Sequence, residues 1–267
     1  MQAFIHLYSE VIILPTLDTL LDPRIADDPK YQRYFADCLS ALDRTHIDVH
    51  VTVQEQLRYR NRKGDLSQNV LAVCNFAIEF TYILVGWEGS VHDTAVLRDA
   101  KVNKGFITPP GKYWLRDAGY TNSDIVLVPY RATRYYLKEQ RLSGLKPENA
   151  KELFNLRYAS LRNVVERIFG VVKRKYQVLR TPSEYSIDTQ TRIILAYCTL
   201  YNYVRSIKGE KADIWLETES TTEGRKETVQ PAVVMPIGGV SSKRMDQFRD
   251  DIAKKMWEDY QEYIVKD

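Results

Sequence analysis

Four acidic side chains stand in short, chemically specific surroundings: Asp43 in ALDRTHI, Asp93 in GWEGSVHD, Asp117 in YWLRDAGY and Glu166 in RNVVERIFG. Carboxylate oxygens are the hard ligands that Mg²⁺ or Mn²⁺ requires, and two such ions can stabilise both the attacking and the leaving oxygen of a phosphoryl transfer. If the four converge, they can hold divalent metal over a phosphodiester. Taken singly, each has a plainer reading. Asp43 is placed as a strand-end aspartate. Asp93 completes a Ser90-Val-His-Asp93 capping box on Ser90. Asp117 precedes a glycine turn. Glu166, four residues after Arg162, fits a helix-surface ion pair. His46, His50 and His92 stand beside these acids, and none is assigned as a ligand.

Other chemistries lack their signatures. No GxSxG elbow, GxGxxG or GxxxxGK[ST] loop occurs. Cys38, Cys74 and Cys198 are odd in number, far apart and set in apolar stretches, so they read as buried thiols in a reducing compartment rather than as disulfides or zinc ligands. No apolar run approaches the roughly 20 residues of a membrane span, and the expectation is a soluble, intracellular protein.

The elements that must position the acids follow from periodicity. Residues 1–37 are expected to form an N-terminal helical adaptor broken at Pro15. The segments ALDRTHIDVHV, NVLAVCNF and FTYILVGW read as three successive, mostly antiparallel strands. SVHDTAVLRDAKV has helical spacing, KYWLRDAGY reads as a short buried strand running into a turn, and IVLVPYR as another extended piece. From about Glu148 a long amphipathic helix follows, with Leu161, Val164, Val165, Ile168 and Val172 on its apolar stripe, and TQTRIILAYCTLYNYVRSI is a second, buried helix. Residues 38–207 thus form the main α/β domain, 208–242 a polar linker, and 243–267 an amphipathic helix with Phe248, Ile252, Met256 and Tyr260 on one stripe.

Charge is uneven. Residues 210–267 carry 9 basic and 13 acidic side chains, leaving a net positive charge in the remainder of a chain whose overall charge is +3. The positive charge concentrates in RYRNRKG and in residues 150–180, as expected for a polyanionic partner, although a solvated helix face explains the same pattern.

Six segments occur in order: ALDRTHI, RNRKGDLSQNVLAVCNF, GWEGSVHDTAVL, KYWLRDAGY, LVPYR and LRNVVERIFGVVKRKYQVLR. From about Asp37 to Arg205 the chain resembles the nuclease domain of PIF/Harbinger-type transposases and their domesticated derivatives. The resemblance implies an α/β, RNase H-like fold, a mixed central sheet flanked by helices, with a DDE-type acidic site. It makes Asp43, Asp117 and Glu166 the catalytic triad and Asp93 an additional metal ligand, with Mg²⁺ or Mn²⁺ as cofactor. It implies phosphodiester hydrolysis on DNA followed by strand transfer, in the nucleus with the cytoplasm as a second compartment. It further implies a separate Myb-like DNA-binding protein as partner, room for a homo-oligomer, and no membrane. Arg58, Arg60, Arg62 and Lys63, with Arg162, Arg167, Lys173, Arg174 and Lys175, are the expected phosphate contacts.

One residue departs from the pattern. Relatives commonly carry a small residue, often Gly, after the first aspartate, and this chain carries Arg44. A guanidinium there is expected to repel a cation or pair with Asp43 and so weaken metal binding. That departure keeps a second class open, a domesticated and catalytically silent DNA- or protein-binding module, and the terminal amphipathic helix suggests a third, an interaction protein.

Overall fold

β-branched and aromatic runs become strands where they were read. The computed structural model describes residues 2–133, 146–209 and 242–266. Its strands are β1 Cys38–Asp48, β2 Ser67–Cys74, β3 Phe80–Glu88, β4 Tyr113–Leu115 and β5 Val126–Leu127. β2 and β3 pair antiparallel, β1 with β4 and β4 with β5 pair parallel, and the order across the sheet is β3-β2-β1-β4-β5. This mixed sheet is the RNase H-like arrangement that the sequence led us to expect. All eight residues of β2 are buried, Ser67, Gln68 and Asn69 among them, and its apolar part from Val70 to Cys74 runs on without alternation.

Short helices precede the sheet: α1 Gln2–His6, α2 Tyr8–Val11, α3 Pro23–Ala26 and α4 Pro29–Phe35. Asp22 and Asp28 cap the last two by accepting from the amides of Arg24 and Lys30, each just ahead of a proline at the first helical position. Next come α5 Gln56–Tyr59, α6 Asp93–Asn103, α7 Ala150–Lys175, α8 Ile187–Lys208 and α9 Lys243–Lys266.

The described chain groups into two compact units. The first comprises residues 2–16, 42–107 and 165–209 and contains the β2–β3 hairpin, α6, α8 and the C-terminal part of α7. In it α1 and α2 pack on α8. The second comprises residues 17–41, 108–133, 146–164 and 242–266, with β4, β5, α3, α4, α9 and the N-terminal part of α7. In the second unit α9 buries Met245, Ile252, Ala253 and Met256, stacks Phe248 edge-on against Tyr113, and accepts a 2.6 Å hydrogen bond from the Tyr130 hydroxyl on Asp250. The terminal amphipathic helix thus docks within its own chain, with Ala253 taking a buried place that the sequence-based stripe assigned to larger residues. The polar stretch expected as a linker lies, at residues 210–241, outside the described residues.

Three helix-borne amides close backbone groups that strands leave open. Asn202 of α8 accepts from Phe80 N and donates to Phe80 O. Gln190 of α8 makes the same pair of bonds to His50, and Asn155 of α7 to Tyr130. An Asn or Gln amide presents one acceptor and a two-proton donor, so it imitates a neighbouring strand at a single residue. Asn155→Leu keeps the volume but leaves two buried backbone groups unpaired, and is expected to cost about 2 kcal/mol or more. A lowered urea midpoint at unchanged m-value checks this; an unchanged midpoint would refute it.

Two local expectations change. β1 runs on to Asp48, so Asp43 lies mid-strand rather than at a strand end. The cap of α6 is His92, whose Nδ1 accepts from Thr94 N at 3.3 Å, so Ser90 closes no capping box and Asp93 is the first helical residue. All three cysteines are buried and free, as expected.

Candidate active site

In the first unit, β1 presents Asp43, Arg44, Thr45 and His46 as four consecutive half-buried residues. Strand alternation puts Arg44 and His46 on one face and Asp43 and Thr45 on the other. On the first face, Arg44 Nε pairs with Asp93 Oδ2 at 2.5 Å, and its Nη1 lies 2.8 Å from His46 Nε2. A guanidinium nitrogen can only donate, so His46 Nε2 must accept and the ring proton must sit on Nδ1. From there it reaches Ser67 Oγ, 2.9 Å away, which also accepts from Asn61 Nδ2. Asp43 accepts the Arg44 amide at 2.8 Å. The side-chain ion pair of Arg44 is thus with Asp93, whose carboxylate was expected to be held by a capping box or a metal.

His46 is kept neutral. Burial, and then the Arg44 charge, push its pKa down from 6.5 to about 4; Asp93 opposes this, and Lys173 and Lys63 reinforce it. A histidine depressed in the folded state contributes nothing above the unfolded pKa near 6.5, and stability is lost as pH falls from there toward 4. Melting temperature should therefore drop more steeply between pH 6.5 and 4 in the wild type than in His46→Gln, whose amide can accept from Arg44 and donate to Ser67 without titrating. Parallel pH profiles would exclude the depressed pKa of His46.

The opposite face of β1 meets α7. Lys173 Nζ donates to Thr45 Oγ1 at 2.7 Å and to His46 O at 2.8 Å. Glu166 is exposed and lies two helical turns before Lys173 on the same stripe of α7. At the far end of the β2–β3 hairpin, Gly89 of GWEGSVHD lies so close to Ser67 and Tyr59 that a Cβ there would stand 2.5 Å from two carbonyl oxygens.

In the second unit, Asp117 follows β4 by two residues on a tightly held turn. Its carboxylate accepts the Gly119 amide, and a Cβ at Gly119 would crowd that oxygen at 3.1 Å. Arg131, from LVPYR, donates to the carbonyls of Ala118 and Tyr120 at 2.8 and 2.6 Å. Buried Arg116 lies 3.3 Å from the centre of the Tyr120 ring, and the buried Tyr158 hydroxyl accepts from Arg116 N at 2.7 Å. The arginine of LVPYR thus holds the turn of KYWLRDAGY. Sequence reading had left Arg131, Arg116 and Tyr158 without roles.

The basic residues divide. Arg58, Arg60, Arg62, Lys63, Arg174 and Lys175 are exposed, Arg58 paired with Glu88 and Arg60 bonded to Gly64 O, and Arg167 is half-buried. Arg162 is buried at 5% exposure, so it is withdrawn as a phosphate contact. Lys173 is turned inward onto β1 and serves packing there. Four aromatics near basic residues in sequence are core: Tyr59, Tyr113, Trp114 and Tyr130 are all buried.

The donors suit a hard divalent cation in type, being carboxylates. Among the described residues, however, no three His, Cys, Asp or Glu side chains gather closely enough to hold an ion. Nor, among those residues, is any helix long and apolar enough to cross a membrane.

Strand order, the acids of β1, α6 and α7, and the turn after β4 define a class of nucleases built on an RNase H-like sheet. The chain belongs to the DDE superfamily endonucleases, whose family model matches residues 42–202, a span that contains all four acids. Its curated relatives include the proteins named "Putative nuclease HARBI1" of Rattus norvegicus and Homo sapiens, each 26% identical, over 170 and 169 residues, and of Mus musculus, 28% identical over 173 residues. These alignments cover 61%, 61% and 62% of this chain and 45%, 45% and 44% of the relatives, so the chain spans less than half of their length. No solved structure matches. Family membership bears out the resemblance drawn from the six segments.

Proposed function

We propose that this chain is a divalent-metal-dependent DNA endonuclease domain in which Asp43, Asp117 and Glu166 hold Mg²⁺ or Mn²⁺. What supports this reading is the family match over residues 42–202, a span that contains Asp43, Asp117 and Glu166. Asp117 is supplied on a turn stiff enough to keep a carboxylate in place. When bound, the ion supplies Lewis-acid stabilisation of the oxygens at phosphorus. The protein's own part is to orient the carboxylates and to seat the DNA backbone on exposed Arg58, Arg60, Arg62, Lys63, Arg174 and Lys175. In the net reaction a water oxygen bonds to phosphorus, the P–O3′ bond breaks, and the water's proton is released while the departing 3′-oxygen gains one. The products are a 3′-hydroxyl and a 5′-phosphate. The freed 3′-hydroxyl is the group that strand transfer would use.

The silent-module alternative is favoured by the Arg44–Asp93 pair, which occupies the fourth acid. Cleavage of duplex DNA by the whole chain, with Mg²⁺ or Mn²⁺ against EDTA, separates the two. Metal-dependent nicking that disappears in Asp43→Asn, Asp117→Asn and Glu166→Gln supports the enzyme. DNA binding without nicking, together with no calorimetric Mn²⁺ binding, would leave the silent module.

A further inference from the structure

The excursion between β1 and β2 puts two large aliphatic side chains into solvent: Val53 is 79% exposed and Leu57 81%. Single exposed aliphatics are ordinary, but these two form a pair. They ride on successive helical turns, closed by Gln56 N on Thr52 O at 3.1 Å and by Arg60 N on Gln56 O at 2.9 Å. Four residues apart on such turns, they share a side, and Arg60, seven residues after Val53, continues their stripe. Arg60 Nη1 donates to Gly64 O at 2.8 Å, so the stripe runs straight into the basic loop 61–65.

That loop is stiff. Arg60 bridges Leu66 as an antiparallel pair, and Asn61 Oδ1 accepts the amides of Lys63 and Asp65 at 2.8 and 3.1 Å. The excursion is anchored by buried Val49, Val51 and Tyr59, against which Leu66 and Ile187 pack, and by Ser90 N on Arg58 O at 3.2 Å. Arg58 pairs with Glu88 and Arg60 holds the loop, so the exposed charges at the tip are Arg62 and Lys63. Among the described residues Arg62 has no hydrogen bond or ion pair. Leu57 and Arg62 are five residues apart, at most about 18 Å of chain, and a turn of duplex is about 34 Å long, so both address one turn. A specific protein interface buries upwards of about 1,000 Å², far more than two aliphatic side chains supply, whereas one aliphatic tip is enough to open a base step from the minor groove.

We propose that residues 52–64 form a minor-groove wedge: Leu57, backed by Val53, presses into a base step of duplex DNA while Arg62 and Lys63 hold flanking phosphates, so that the duplex bends where the chain binds it. This rests on the reading that the chain acts on DNA, and it requires no cleavage. Stiffness is what a wedge needs, because a loop that yielded would leave the bases stacked.

The test uses an A·T-rich 20-mer duplex with donor and acceptor dyes at its ends, titrated in EDTA at several salt concentrations. Wild type should raise energy transfer at saturation, since a bend brings the ends together. Leu57→Ala should lose roughly half or more of that rise and about tenfold in affinity, at the salt slope of wild type. Leu57→Met, still long and apolar, should bend the duplex like wild type. Arg62→Gln should lower the slope by about one and still bend fully at saturation. Both positions are exposed, so all variants should melt with wild type. No duplex binding by wild type, binding without a rise in energy transfer, or a Leu57→Ala that binds and bends like wild type would overturn the proposal. In the last case, loss of a dimer in sedimentation would give the aliphatic pair to a second copy of the chain. Bending without cleavage in Mn²⁺ would sink the nuclease reading alone, and Mn²⁺-dependent cleavage of an unbent duplex would sink the wedge alone.

Discussion

Asp117→Asn is expected to lower metal-dependent DNA cleavage by about 10²–10³-fold or more, since removing one preorganised electrostatic group from a reaction centre commonly costs that much. The substitution is close to a pure test of charge. Asparagine keeps the side-chain oxygen that accepts the Gly119 amide, and it keeps the volume. The turn is held independently by Arg131 on the carbonyls of Ala118 and Tyr120, by Arg116 on the Tyr120 ring, and by Tyr158 on the strand just before it. Melting temperature should therefore stay close to wild type while activity collapses, and calorimetric Mn²⁺ affinity should fall with it. Retained cleavage in Asp117→Asn would remove this residue from the site and with it the triad reading.

Gly89→Ala should be a strongly destabilising single methyl. The added carbon would meet Ser67 O and Tyr59 O at 2.5 Å and Ser67 Oγ at 2.6 Å, and two of those atoms are backbone with little freedom to retreat. Overpacking of this kind costs about 1–3 kcal/mol and occasionally more; backbone obstruction on both sides places this case at the upper end. For a chain of this size about 3 kcal/mol lowers the melting temperature by roughly 6–12 °C. Because Ser67 Oγ also fixes His46, and through it Arg44, partial accommodation that moved Ser67 would disturb the Arg44 contact as well. A melting temperature within a degree of wild type would show that the hairpin end can open, contrary to the packing described.

Much of this was legible in the chain as written. β2 and β3 announce themselves by composition, because the aliphatic run of β2 and the β-branched and aromatic run of β3 favour extended backbone. The 26-residue α7 is visible from its apolar stripe. The four acids were singled out through the short motifs that surround them. Other features were hidden for one reason: they are pairings between residues far apart in sequence. Arg44 meets Asp93 49 positions later, and the choice of Asp93 over Asp43 depends on the entry angle of α6. His92 displaces Ser90 as the cap by the backbone direction at the helix start, which composition does not specify.

Sequence by itself determined the class of protein and the strand and helix order, since those depend on local periodicity and on residue types packed into short motifs. Only the tertiary structure decided what surrounds the acids: that Arg44 is tethered rather than loose, that Arg131 stiffens the Asp117 turn, that Arg162 is unavailable to DNA, and that the last helix covers its own domain. Local propensity sets which elements form, whereas burial and the pairing of distant charges set which side chains are left to act.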